Sequence, residues 1–308
     1  MRDHFIKRLS ELVENNPDII LITGDLGFGV FDNFRKAFPK NFINIGVAEQ
    51  NMTGVATGLA LEGKIVFTYS IANFPTLRCL EQIRNDACYH NADVKVVSIG
   101  GGFSYGALGI SHHATEDLSI MRSLPEIKVI SPCGYWETTG ATEAVVNSPG
   151  TCYLRLDKSA GDDRPVDKNE KFIIGKARIL KNGFDCTIIV TGGILEEVIN
   201  SSAFLMSEGI SSRIVSMHTL KPIDEQVILK AVEETHIIIT VEEHTVFGGL
   251  GSAVSEVLMK YNYYPKKFLS IGLKEGFSSI VGSQKYLRKR YNMDAQSIYN
   301  QIKSLLVN

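Results

Sequence analysis

Short apolar runs separated by helical-period segments recur along the whole of this 308-residue chain. The runs at 19–23, 42–45, 64–69, 94–99, 127–131 and 151–156 are continuous rather than alternating, the pattern of strands buried on both faces. Between them, apolar residues return at helical spacing. Met52, Val55, Ala56 and Leu59 form one stripe, and Leu77, Leu80, Ile83 and Ala87 another, in which Arg84 is polar. Such alternation predicts an α/β fold in which mostly parallel sheets are flanked by helices.

One segment breaks the pattern. DKSAGDDRPVDKNEK, beginning at Asp157, is polar, contains Gly and Pro and has no apolar period. It marks a linker at 161–172 between a domain at 1–160 and a second at 173–308, a division that about 100–200 residues per domain supports. Alternation resumes with strands at 187–191, 210–217 and 237–241, and two amphipathic helices near 283–291 and 294–306 finish the chain.

Charge and cysteine usage narrow the function. Thirty-two Lys and Arg against 34 Asp and Glu leave a formal charge of −2, which argues against a broadly basic nucleic-acid binder. No stretch approaches the roughly 18 apolar residues of a membrane helix, and MRDHFIKRLSELVENN lacks the apolar core of a secretory signal. The five cysteines include no C-x-x-C pair, which fits reduced thiols and a cytoplasmic location.

In open α/β sheets, ligands bind beyond the carboxyl ends of the strands. Four features lie there. Glu49 falls in the first turn of a helix that follows Gly46. The helix dipole stabilises a carboxylate at that place, so both a structural and a catalytic role are open. His112 and His113 are adjacent in Gly109-Ile110-Ser111-His112-His113, either exposed loop residues or pocket residues, and their spacing gives metal binding little support. Gly100-Gly101-Gly102 lacks the phosphate-loop pattern and reads as an active-site loop. Arg155 ends a strand, either as a surface ion pair or as a clamp for phosphate or carboxylate.

Taken in order, these segments resemble the transketolase family of thiamine-diphosphate enzymes. The carrying residues are Gly24-Asp25-Leu26, INIGVAEQNMTGVATGLAL at 43–61, the run from Tyr69 through Glu81-Gln82-Ile83-Arg84, GISHHATEDL at 109–118 and Tyr153-Leu154-Arg155-Leu156. HTLKPID at 218–224 and VEEHTVFGGLGSAV at 241–254 extend the match into the second domain. The resemblance covers the family's pyrimidine-binding domain and its C-terminal domain.

The resemblance implies roles. Glu49 matches the glutamate that hydrogen-bonds N1′ of the aminopyrimidine and so promotes the 4′-imino tautomer that removes the C2 proton. Phe74 lies where the family stacks an aromatic on the pyrimidine, although a gapless match points to Ala72 and Pro75 instead. Tyr69 and Asp25 join Glu49 and Phe74 as implied cofactor contacts. His112 is the second catalytic residue, contacting sugar oxygens near the reacting carbon. His113 and Arg155 complete the substrate contacts, with Arg155 gripping a sugar phosphate.

The departures are informative. Gly27-Phe28-Gly29-Val30 stands where a phosphate-binding serine is common, Leu108 where an aspartate reads the donor hydroxyl, and the Gly100–Gly102 loop where an upstream histidine lies. These changes weigh against an ordinary ketose-phosphate donor. The Gly-Asp-Gly motif that holds the diphosphate and its metal is missing, since Gly24-Asp25-Leu26 has the wrong third residue and belongs to the other domain. The chain thus resembles the C-terminal subunit of a split transketolase. The resemblance implies that thiamine diphosphate is shared with an N-terminal subunit that binds Mg2+ or Ca2+, and that a homodimer core sits in an alpha2beta2 assembly acting on sugars or sugar phosphates. The beta subunit of a 2-oxo acid dehydrogenase decarboxylase and a non-catalytic partner are the alternative readings.

Overall fold

The computed structural model describes every residue except 28, 160, 162–165, 167, 168, 275 and 308. Half of the expected linker, 162–165, 167 and 168, therefore lies outside the described residues, as does Phe28.

Twelve strands form two sheets among the described residues. The first contains β1 (Ile19–Thr23), β2 (Phe42–Asn44), β3 (Ile65–Ile71), β4 (Val94–Ile99), β5 (Lys128–Ile130) and β6 (Cys152–Leu156). The second contains β7 (Arg178–Lys181), β8 (Cys186–Thr191), β9 (Ser212–Ser216), β11 (Ile237–Thr245) and β12 (Lys267–Leu273), while β10 (Thr219–Lys221) joins the first. The orders are β10-β5-β6-β4-β3-β1-β2 and β12-β11-β8-β9-β7. Every pairing is parallel except β10 with β5 and β7 with β9. The fold is thus two domains, each a mostly parallel sheet flanked by helices, as the alternation predicts.

The continuous apolar runs are buried on both faces: all five residues of β1 and all six of β4 and β8 are buried. Burying a Val, Leu or Ile side chain contributes about 1.5–3 kcal/mol, so these strands hold the sheets together. Three strands escaped the sequence pattern. β7 and β12 are edge strands that are only half-buried or exposed along much of their length, so their apolar runs are interrupted. β10 is three residues long and crosses from the second half of the chain to cap the first sheet.

The stripe through Leu80 and Ile83 forms a short helix, Leu80–Gln82, that widens into π-helical turns over Ile83–Cys88. Such widening often sits beside functional sites.

Strand order locates the binding crevice. From β1 the chain moves outward to β2, returns to β3 on the opposite side of β1, and continues to β4. The direction reverses at β1, so the loops leaving β1 and β3 part there and leave an opening.

Candidate active site

The opening is lined by the exits of β1, β2 and β3. Asn44 ties the first two together. Its Oδ1 accepts from the backbone N–H groups of Asp25 (2.9 Å) and Gly46 (3.1 Å), and its Nδ2 donates to Asp25 Oδ1 at 3.1 Å. Asp25 is exposed and adopts φ +56°, a left-handed conformation that this side-chain hydrogen bond supports. It stands at the rim, its carboxylate engaged by Asn44.

Glu49 begins the helix Glu49–Leu61, close to the left-handed turn at Gly46 (φ +75°). Its side chain is 3% exposed, and its Oε2 accepts from Arg78 at 2.8 Å. Gly24 lies directly behind it: a Cβ there would come within 3.2 Å of the Gly46 carbonyl oxygen and 3.7 Å of Glu49 Cγ. Gly24 thus gives the carboxylate room at the strand ends.

Arg78 comes from the loop after β3 and is half-exposed. Its guanidinium also lies 4.8 Å from the centre of the Phe74 ring. Phe74 in turn meets His112 edge-on, with ring centroids 5.2 Å apart. Glu49, Arg78, Phe74 and His112 therefore form one continuous line of side chains from the buried carboxylate to the partly exposed imidazole. The His112 Nδ1 pairs with Ser111 Oγ at 2.9 Å. Burial, then the adjacent His113, hold the His112 pKa below its ordinary value, so its neutral form is favoured near neutrality.

The two histidines divide. His113 is fully buried, its Nε2 3.0 Å from the Gly106 carbonyl oxygen and its Nδ1 3.0 Å from Ser278 Oγ. A carbonyl only accepts, so Nε2 carries a proton there. Both nitrogens are used inside the chain. The expectation of a substrate contact at His113 is corrected: it fastens the loop that presents His112. Asn73 helps by donating to the Ser111 and His113 carbonyls at 3.3 and 2.8 Å.

Two further expectations are corrected. Tyr69 is not at the opening. It is 1% exposed, packed against Phe5 and Phe31, and burial raises its phenol pKa. Its strand position points it into the core. Arg155 is neither a surface ion pair nor an available clamp. It is 1% exposed, its Nε donates to Asp117 Oδ2 and one terminal nitrogen donates to the Ala114 and Glu243 carbonyls, all at 3.0 Å. The other terminal nitrogen is 3.8 Å from Asp157. Burial opposes the Arg155 charge, but Asp117 and then Asp157 more than offset it, raising its pKa.

Arg155 belongs to a buried polar hub between the domains. Tyr153 donates to Asp117 Oδ2 at 2.5 Å. Glu243 accepts from the backbone of Phe103 (2.5 Å), from Gln284 (2.9 Å) and from Arg288 Nε (2.5 Å). This hub explains the glycine cluster. A Cβ on Gly101 would lie 2.5 Å from the Arg155 guanidinium carbon, and one on Gly102 2.5 Å from a Glu243 carboxylate oxygen. The glycines make room for buried charges rather than cradling a ligand. Sequence reading missed Arg78, Glu243 and Arg288. Arg78 and Glu243 lie in segments already set apart, the run after Tyr69 and VEEHTVFGGLGSAV, whereas Arg288 carried no local signal.

A buried glutamate thus stands at a sheet switch point, with an aromatic and a histidine in line beyond it. Residues 1–162 match the family model of the transketolase pyrimidine-binding domain, and residues 175–298 that of the transketolase C-terminal domain. The chain belongs to the transketolase family. Within it, this is a chain of the C-terminal-section type, with a pyrimidine-binding domain followed by a C-terminal domain. It is 39% identical, over 98% of its length and 95% of the other's, to a chain named transketolase C-terminal section from Methanocaldococcus jannaschii. It is 35% identical to one of the subunits of the apulose-4-phosphate transketolase of Phocaeicola vulgatus, over 96% of this chain and 94% of that one. Among solved structures it is similar to a split gene transketolase in an inactive beta4 tetramer, with TM-score 0.88 and 34% identity, covering 99% of this chain and 97% of that one.

Proposed function

We propose that this chain is the subunit of a split transketolase that supplies Glu49 to thiamine diphosphate. A separate N-terminal transketolase-like subunit supplies the diphosphate and metal site, where Mg2+ or Ca2+ binds. Together they transfer a two-carbon ketol unit, formally glycolaldehyde, between sugars or sugar phosphates. The observation that carries this reading is Glu49: a buried carboxylate at the switch point, bordered by Arg78, with Phe74 and His112 beyond.

The residues fit half of the cofactor. A ring nitrogen needs one carboxylate in a low-dielectric place, and Glu49, backed by Gly24, provides it. The ring needs an apolar face, and Phe74 is the aromatic beside Arg78. A diphosphate needs a backbone cradle and a metal, and the chain has no Gly-Asp-Gly. When bound, thiamine diphosphate supplies a carbon nucleophile. Glu49 then holds the proton at N1′, Arg78 keeps that carboxylate aligned, and His112 hydrogen-bonds the oxygen at the reacting carbon. With Arg155 committed to the hub, a substrate anion is met by residues outside this set.

The assembly is read as alpha2beta2 around a dimer of this chain. Support comes from the helix Glu49–Leu61: Cβ atoms added at Gly54 and Gly58 would meet nothing within 4 Å, leaving a face open to close approach. Free, buried cysteines at all five positions agree with a cytoplasmic setting.

The test is co-expression with a similar-sized chain carrying Gly-Asp-Gly, followed by a donor screen with thiamine diphosphate and magnesium. Ketol transfer by the complex and by neither chain alone is expected. A stable complex that only decarboxylates 2-oxo acids, or no complex with such a partner, would reject the reading.

A further inference from the structure

We infer that Ser278, in the C-terminal domain, is a positioning residue for the active site: through His113 it holds the loop that presents His112. The inference rests on the proposed contact of His112 with the oxygen at the reacting carbon.

Among the described residues, nothing outside its own loop hydrogen-bonds the His112 ring. Its Nδ1 pairs with the neighbouring Ser111, and Phe74 and Tyr105 meet it only through ring contacts. The backbone of residues 106–113 therefore sets where the imidazole sits. Asn73 fixes that backbone from the first domain. The C-terminal domain fixes it at both ends. At one end, the Gly106 carbonyl oxygen accepts from the Gly282 N–H at 3.2 Å, and a Cβ on Gly106 would lie 2.5 Å from Leu287 Cδ1. At the other, Ser278 Oγ lies 3.0 Å from His113 Nδ1. Leu108 and Ile110, between the two ends, are exposed. The loop is clamped at its ends and open in the middle.

The chemistry of His113 gives Ser278 its role. His113 Nε2 faces the Gly106 carbonyl, which only accepts, so the neutral ring carries its proton there and offers a lone pair at Nδ1. Ser278 then donates to that lone pair. One chain of hydrogen bonds, from Ser278 to His113 to Gly106, closes the loop across its ends. His113 is 0% and Ser278 2% exposed, so water does not replace a lost partner. Alanine at 278 leaves Nδ1 a buried acceptor without a donor. The Arg155 and Glu243 hub joins the domains without Ser278, so that variant should stay folded.

Two measurements test this. The first follows amide hydrogen exchange in the full chain alone. Ser278→Ala should speed exchange within residues 106–113 roughly tenfold, the worth of a lost buried hydrogen bond, and leave β1 and β8 as in the parent. In a His113→Phe chain, which has no nitrogen to receive the Ser278 proton, Ser278→Ala should add nothing. The second measurement uses the reconstituted complex, with hydroxypyruvate as ketol donor and glyceraldehyde as acceptor. Donor kcat/KM should fall roughly tenfold in Ser278→Ala, because a displaced His112 no longer meets the reacting carbon's oxygen. Exchange at C2 of thiamine diphosphate, which needs Glu49 and not His112, should match the parent. Loop exchange or donor kcat/KM unchanged in Ser278→Ala would overturn the inference. So would C2 exchange slowed as much as turnover, or an equal effect of Ser278→Ala in the His113→Phe chain. If the parent complex transfers no ketol unit, the functional reading fails, and the amide exchange still decides whether Ser278 holds the loop.

Discussion

Glu49 and Arg78 form an ion pair of 2.8 Å in which the carboxylate is 3% exposed and the guanidinium 47% exposed. One partner is fixed at a helix start and the other reaches over from the loop after β3. The pair is therefore asymmetric: water can replace Arg78 more easily than it can reach Glu49.

Replacing Arg78 should expose that asymmetry. Arg78→Ala leaves a buried carboxylate short of a donor, a loss of about 1–3 kcal/mol. Urea denaturation of the chain reads this directly. In the reconstituted enzyme, turnover should also fall, while Arg78→Lys should recover part of both effects. An Arg78→Ala chain as stable and as active as the parent would reduce the pair to an incidental surface contact.

Arg155 should behave differently. It is paired with Asp117, itself fully buried, at 3.0 Å in the hub between the domains. Removing one member of a buried pair costs about 3–5 kcal/mol, because the other charge stays unpaired. Arg155→Met should therefore lower the denaturation midpoint sharply. Arg155→Met combined with Asp117→Asn should recover part of the loss. A stable Arg155→Met chain whose only defect is a raised KM for a phosphorylated substrate would restore the clamp reading.

The difference between these two arginines marks what was legible in the sequence. The apolar runs of β1, β4 and β8 announced buried strands because burial on both faces demands unbroken apolar residues. Glu49 and His112 were singled out because they follow strand ends and sit in specific motifs. Arg155 sits at a strand end too, yet its fate is decided by Asp117, 38 residues earlier, and by Glu243 in the other domain. No local pattern carries that information. The same holds for Tyr69, whose strand position fits either face until Phe5 and Phe31 are seen to cover it. Edge strands β7 and β12 were silent because partial exposure relaxes the apolar requirement.

His218 gives a pH signature. It is 1% exposed and packed against Phe172, with ring centroids 4.2 Å apart and the rings tilted by 32°. Burial lowers its pKa more than Glu137 and Asp224 raise it, and Arg178 adds to the lowering. The unfolded chain, with an ordinary histidine pKa of about 6.5, then binds a proton at a pH where the folded chain does not. Stability should be full above about pH 6.5 and fall as pH drops below it. Denaturation midpoints at pH values of about 7.5 and 5.5, on either side of that ordinary pKa, should differ less in His218→Asn than in the parent. An equal difference would remove His218 from the acid sensitivity.

The isolated chain should bind thiamine diphosphate poorly even with magnesium present. Most of the cofactor's charge lies in its diphosphate and metal, for which this chain has no Gly-Asp-Gly. Calorimetry should show little heat until the partner subunit is added. Tight, magnesium-dependent binding by this chain alone would contradict the division of the site between two chains.

The central claim is that Glu49 acts on the cofactor ring, and proton–deuterium exchange at C2 of thiamine diphosphate measures it most directly. Glu49→Gln keeps the volume of the side chain and a hydrogen bond to Arg78, but it cannot share a proton with N1′. In the reconstituted complex, exchange in the Gln variant should be slower by roughly 10²–10⁴, the usual reach of general acid–base help. Thermal melting of the variant complex checks that it remains assembled. Exchange as fast in the Gln variant as in the parent would contradict the catalytic role of Glu49 and leave it as a first-turn helix carboxylate.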